Sequence, residues 1–135
     1  MEHMMLSGVG AFIAYFVGGL VSLLVFIALY VRLTPYREFD LIRQGNRTAA
    51  LSLSGNVLGF AIVLYTAISH SVSGVDVLLW SVIGFLAQYA SYHIIRQFFL
   101  RHWLLYIEED NVAAGILACA LSIAVGLLNA ASMSY

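Results

Sequence analysis

The sequence predicts an all-α membrane protein: four transmembrane helices, arranged as two parallel-repeat helical hairpins that form a bundle. Three observations predict it. Of the 135 residues, 62% are hydrophobic and only 10% are charged, against about a quarter charged in a typical soluble domain. The charges divide the chain into four uncharged stretches, each longer than the roughly 18 residues that cross a hydrocarbon core. A short pattern also returns at a constant offset of 65 positions, as from Ile42 to Ile107. Each span must satisfy its backbone hydrogen bonds within lipid, which an isolated strand cannot do, so helices are expected.

The first stretch, residues 9–31, ends at Arg32, and Pro35 follows as a stop. Glu2 and His3 precede it where a secretion signal would be basic, and the run exceeds a signal's apolar core. A permanent span is therefore expected. Gly10, Ala14, Gly18 and Ser22 lie on it at four-residue spacing, a seam that lets another helix approach closely. The second stretch, residues 48–69, carries Gly55 and Gly59. The third, residues 77–95, lies between Asp76 and Arg96 and carries Ser81, Gly84, Ala87 and Ser91. The fourth, residues 111–135, follows Glu108, Glu109 and Asp110. Ala114, Ala118, Ser122, Gly126, Ala130 and Ser134 fall four apart on it. Its other faces are small too, so a central place or a subunit interface is expected, and with it a homo-oligomer.

Arg32, Arg37, Arg43 and Arg47 sit between the first two stretches, and Arg96 and Arg101 between the last two. Basic connections stay in the cytoplasm. Both chain ends and the loop near residues 70–76 are then expected on the non-cytoplasmic side. Phe12, Tyr15, Phe16 and Trp80 fall near one boundary, and Tyr30, Tyr36, Phe98, Trp103 and Tyr106 near the other, as interface anchors. Residues 36–44 form a short amphipathic piece suited to the headgroup layer, with Phe39, Leu41 and Ile42 on one side and Arg37, Glu38 and Arg43 elsewhere. Membrane lipids are the first expected partner, with a cytoplasmic or membrane protein partner as a further one.

The repeat divides one membrane domain, 1–135, into copies at about residues 9–70 and 76–135. Ile42, Asn46 and Ala49 match Ile107, Asn111 and Ala114; Ser69 matches Ser134; and Tyr15 falls opposite Trp80. Two spans per copy keep one orientation, unlike the inverted repeats of many alternating-access carriers. The run Ile107-Glu108-Glu109-Asp110-Asn111-Val112-Ala113-Ala114-Gly115, continued by Ala120-Leu121-Ser122-Ile123-Ala124-Val125-Gly126-Leu127-Leu128-Asn129-Ala130-Ala131, resembles the hallmark of the YjfL-like family. These are small bacterial inner-membrane proteins built from a repeated domain of unknown function. The resemblance covers nearly the whole chain. Gly45 precedes Asn46 as the family pattern suggests, while Asp110 holds that place before Asn111. The resemblance implies a multi-pass protein of the bacterial inner membrane and transfers no functional residue.

Few polar groups invite chemistry. Asn46 and Asn111 open the second and fourth stretches and are expected to cap them. Asn56 and Gln88 lie near mid-bilayer at similar depth, where an amide needs a partner. They serve either as an interhelical clamp, bonded to each other, or as the lining of a conduction path. Asn129 is expected to pair across helices nearer the outer face. The stretches so bounded hold no Asp, Glu, Lys or Arg, whereas pumps and proton-coupled carriers usually place a charge there. No Ser-His-Asp set, metal motif or phosphate loop is present, and the four histidines are not spaced as haem ligands. Neither enzyme activity nor a cofactor is expected. Lone Cys119 reads as a small buried thiol. A net charge of −1 gives no basis for nucleic-acid binding. The leading expectation is a structural or accessory subunit that assembles through small-residue seams; the alternative is an oligomeric passive channel or small-solute or ion transporter lined by the mid-membrane amides.

Overall fold

A computed structural model describes residues 2–70 and 73–133. All its regular elements are helical: α1 (Glu2–Leu33), α2 (Glu38–Arg43), α3 (Arg47–His70), α4 (Gly74–Phe98), α5 (Trp103–Glu108) and α6 (Val112–Met133). The four long helices are each long and apolar enough to cross a membrane. Ser71, Val72, Ser134 and Tyr135 lie outside the described residues, and so does the Ser69–Ser134 match.

Three helices overrun the stretches read from the sequence, two of them by more than one residue at each end. α1 begins at Glu2 rather than near residue 9, and α4 continues through Arg96 to Phe98. A charge ends an apolar stretch but does not break a helix. The breaks come from backbone chemistry. Pro35 follows α1, and the Ser73 hydroxyl accepts the Asp76 N–H at 3.3 Å to start α4.

The bundle is centred on α3, which buries twelve residues against two for α1. The central place, one of the two expected for the fourth span, is thus held by α3. α6 packs one narrow seam against α3, also meets α4 where Gln88 donates to the Ser122 carbonyl, and leaves its other faces outward. The two run parallel: Gly115 meets Thr48, Gly55 meets the Cys119 backbone, and Gly59 meets Ser122 and Gly126. A Cβ at Gly126 would lie 2.5 Å from the Gly59 Cα, so these backbones touch. Ala114, Ala118, Ser122 and Ala130 are buried along the same line. α4 crosses α3 on another side, with Gly84 over Val63.

α1 stands apart. Only 6% of its most apolar stretch is buried, against 56% for α3. It is held near its end by Phe26, stacked on Phe60 with ring centroids 4.2 Å apart, and by Tyr30. A Cβ added at Gly10 or Gly18 would meet nothing within 4 Å, and Ala14 is exposed. The first seam therefore makes no close contact with another helix among the described residues. Ala14, Gly18 and Ser22 line instead a crevice of about 520 Å³ between α1 and α4.

The two short connections match in detail. In each, a six-residue helix ends in a turn at positive φ, Gly45 at 89° and Asp110 at 50°. Asn46 N–H bonds the Leu41 carbonyl at 2.9 Å, and Asn111 N–H bonds that of Tyr106 at 2.8 Å. Asp110 tolerates the left-handed conformation that glycine adopts freely.

Candidate functional site

The end of the bundle that carries α2 and α5, hereafter the turn end, holds most of the buried polar chemistry. Asn46 caps α3 by accepting the Ala49 N–H at 2.8 Å, and Asn111 caps α6 by accepting the Ala114 N–H at 3.2 Å. Asn46 also donates from Nδ2 to the Ile107 carbonyl at 2.7 Å, tying one connection to the other. The Asp110 carboxylate accepts the Thr48 N–H and hydroxyl, both at 2.9 Å, and Arg47 at 3.3 Å. The Thr48 N–H is the main cause holding the Asp110 carboxyl below its ordinary range.

Arg96 is the surprise of this end. The sequence places it in a connection, beyond the third span. It is instead a residue of α4, only 8% exposed, and it donates to the Ser52 hydroxyl of α3. Its guanidinium lies over the Tyr92 ring at 4.1 Å and the Trp103 ring at 4.5 Å. Nε and Nη1 have no hydrogen-bond partner among the described residues. Trp103 in turn donates to the Tyr36 hydroxyl at 3.1 Å. Tyr30 and Trp103, expected as outward anchors, are core residues at 0% and 4% exposure.

Glu38 is the second correction. The sequence groups it with the outward charges of the amphipathic piece, but α2 turns it inward to 1% exposure and leaves Phe39 exposed. Its carboxylate oxygens have no hydrogen-bond partner among the described residues. Burial pushes its pKa up to about 7, against the pull of the Thr34 hydroxyl and the more distant Arg96 charge. Burial likewise raises the Tyr36 phenol. A carboxyl with a raised folded pKa gives its full stability below its unfolded value, near 4.5, and loses it as pH rises through 7. Thermal stability in mild detergent is thus expected to fall between pH 5 and pH 8, by on the order of 2 kcal/mol after partial screening. Glu38→Gln should flatten that slope; an unchanged slope would place the titrating group elsewhere.

The mid-membrane amides are both fully buried but are not bonded to each other. Asn56 donates to the Tyr30 hydroxyl at 2.9 Å and the Ser52 carbonyl at 3.0 Å. Gln88 donates to the Ser122 carbonyl at 3.4 Å. Each amide thus donates toward a different neighbour of α3, while Asn56 Oδ1 and Gln88 Oε1 accept from no donor among the described residues. Asn129 is half-buried, and the described residues supply no partner for its Nδ2. Cys119 is half-buried, with its backbone against Gly55.

A string of polar contacts therefore runs from Tyr30 through Asn56 and Ser52 to Arg96. Sequence reading singles out Asn56 and leaves Tyr30 and Arg96 at the boundary, so the links between them are missed. Two signals point to them: Ser52 and Asn56 are one helical turn apart on one face, as are Tyr92 and Arg96. Outside Arg96, between the end of α4 and α5, lies an open cleft of about 470 Å³. Arg101, His93, His102, Trp103 and Leu104 line it with Arg96.

Among known proteins, the family described as Domain of Unknown Function (DUF350) matches residues 4–133. The chain is 33% identical over 125 residues to the UPF0719 inner membrane protein YjfL of Escherichia coli K12, covering 93% of this chain and 94% of that protein. It is 29% identical over 121 residues to the UPF0719 transmembrane protein YshE of Bacillus subtilis 168, covering 89% and 90%. No solved structure matches it.

Proposed function

This chain belongs to the DUF350 family, a family of multi-pass inner-membrane proteins, and from that premise we propose that it is a structural or accessory subunit that assembles with further copies of itself through α1. One observation carries the reading: the Gly10–Ala14–Gly18–Ser22 face makes no close helix contact among the described residues and borders only an open crevice toward α4, whereas the seams of α3, α4 and α6 are filled from within. Small residues four apart suit a symmetric crossing of two identical helices, in which each backbone fits the other's groove. In this arrangement the turn end faces the cytoplasm and both chain ends the opposite side, as the arginine distribution favours. The two matched connections then act as paired hairpin bends of a parallel repeat.

Ala14→Cys or Gly18→Cys should give a disulfide-linked dimer in native membranes under mild oxidation. Gly18→Leu should abolish the dimer without lowering the melting temperature of the monomer. A protein that stays monomeric, with no cross-link from either site, would overturn the proposal.

A second reading has its own observation. Asn56 Oδ1, Gln88 Oε1 and Ser122 Oγ are buried acceptors without donors among the described residues, an arrangement that suits a passive polar path. It requires α4 to part from α3, because both amides are sealed in this conformation. Flux of ions or small polar solutes into proteoliposomes, reduced by Asn56→Leu or Gln88→Leu, is its expected signature.

A further inference from the structure

We infer that the cleft between the end of α4 and α5 binds a phosphate group, carried either by an anionic lipid headgroup or by free phosphate. The lining holds two arginines and two histidines and no carboxylate. Its volume of about 470 Å³ falls in the range of small-ligand sites. Exposed basic residues alone would be an ordinary membrane-facing rim. Arg96 is different, because it is more than nine-tenths buried and still has two donors, Nε and Nη1, with no acceptor among the described residues.

A buried cation needs a counter-charge or a strong acceptor. The ion pairs of the described residues are Arg37–Asp40, Arg43–Asp40 and Arg47–Asp110, and none of them includes Arg96. Glu38 is close enough to feel its charge but makes no hydrogen bond to it. The two rings and Ser52 fix the guanidinium plane. Nε and Nη1 are sealed from solvent in this conformation, so an anion reaches them only as the start of α5 shifts outward, and a fork of N–H donors then fits two oxygens of one tetrahedral anion. Exposed Arg101 and His102 sit at the mouth, where they can close over the outer oxygens. Leu104 and Leu105 form an apolar wall beside them, suited to the glycerol and first acyl carbons of a lipid. The inference does not depend on how copies assemble.

The test is thermal stability of the detergent-purified full chain, titrated separately with inorganic phosphate, short-chain phosphatidylglycerol and, as a zwitterionic control, short-chain phosphatidylcholine. A saturable rise in melting temperature is expected with at least one of the first two. A response to phosphatidylglycerol alone identifies a headgroup site; a response to inorganic phosphate identifies free-anion recognition. Arg101→Ala with His102→Ala should weaken the apparent affinity about tenfold or more, the loss expected for charge-assisted contacts, while the unliganded melting temperature stays the same. Arg96→Lys, which keeps the charge and loses the fork, should weaken it similarly. Arg43→Ala, on the other connection, should change nothing. The inference is overturned if neither phosphate probe gives a saturable shift, if phosphatidylcholine acts equally, or if Arg43→Ala weakens the response as much as the cleft variants do.

Discussion

Gly126→Leu should leave no stable bundle, and even Gly126→Ala should lower stability by about 2 kcal/mol. An added Cβ at this position meets the Gly59 Cα and carbonyl at 2.5 Å each, which are backbone atoms with no rotamer to escape into. The same holds in reverse at Gly59, where a Cβ falls 2.7 Å from the Ser122 carbonyl and 2.5 Å from the Gln88 amide. To admit a methyl group the two helices must separate, and every contact along the seam weakens together. Overpacking of a rigid contact costs about 1–3 kcal/mol for small additions and more for large ones. In lipid no hydrophobic gain offsets this, since association rests on van der Waals fit. Gly10→Ala supplies the control, because open space surrounds that position. Melting temperature and gel filtration in mild detergent check the pair. If Gly126→Ala melts with the parent, the α3–α6 contact does not hold the bundle.

Arg96→Met should rank second, with a loss on the order of 3 kcal/mol at pH 8. Three interactions vanish at once: the donation to Ser52 and the stacking on Tyr92 and Trp103. Glu38 then loses the buried positive charge that favours its ionised form. Glu38→Gln added to Arg96→Met should recover part of the loss, because the leftover carboxylate becomes a neutral amide. Additive losses in the double variant would show that the two residues do not communicate electrostatically.

The four spans are readable in the sequence because their signal is extensive: many apolar residues in a row outvote any single exception. The asparagine caps are readable for the opposite reason, since a cap is a local rule about one side chain and its own first turn. What cannot be read is direction. Arg96 and Glu38 look like boundary charges in one dimension, and only packing turns them inward. The helix continues past the hydrophobic edge, and one further turn brings Arg96 back over Tyr92 and onto α3. Likewise, small residues mark a close contact but do not name the helix on its far side. Gly55 and Gly59 meet α6 in their own chain, while the equally spaced seam of α1 closes on no helix among the described residues. Asn56 and Gln88 are both buried, but similar depth does not put two side chains face to face.

At the turn end, Arg32 lies in the last turn of α1 and Arg96 in that of α4, where each helix macrodipole is negative. The opposite, positive poles of α3 and α6 begin there too, and the Asp110 carboxylate sits between them, bonded to the Thr48 N–H. Each long helix therefore has a charge of contrary sign near its pole at the turn end. Sliding any one of them along its axis would pull a pole away from its counter-ion, so the four rods are registered at this end like pages bound along one spine. Relative motion among them is then easiest as splaying at the free edge, where α1 and α4 already diverge.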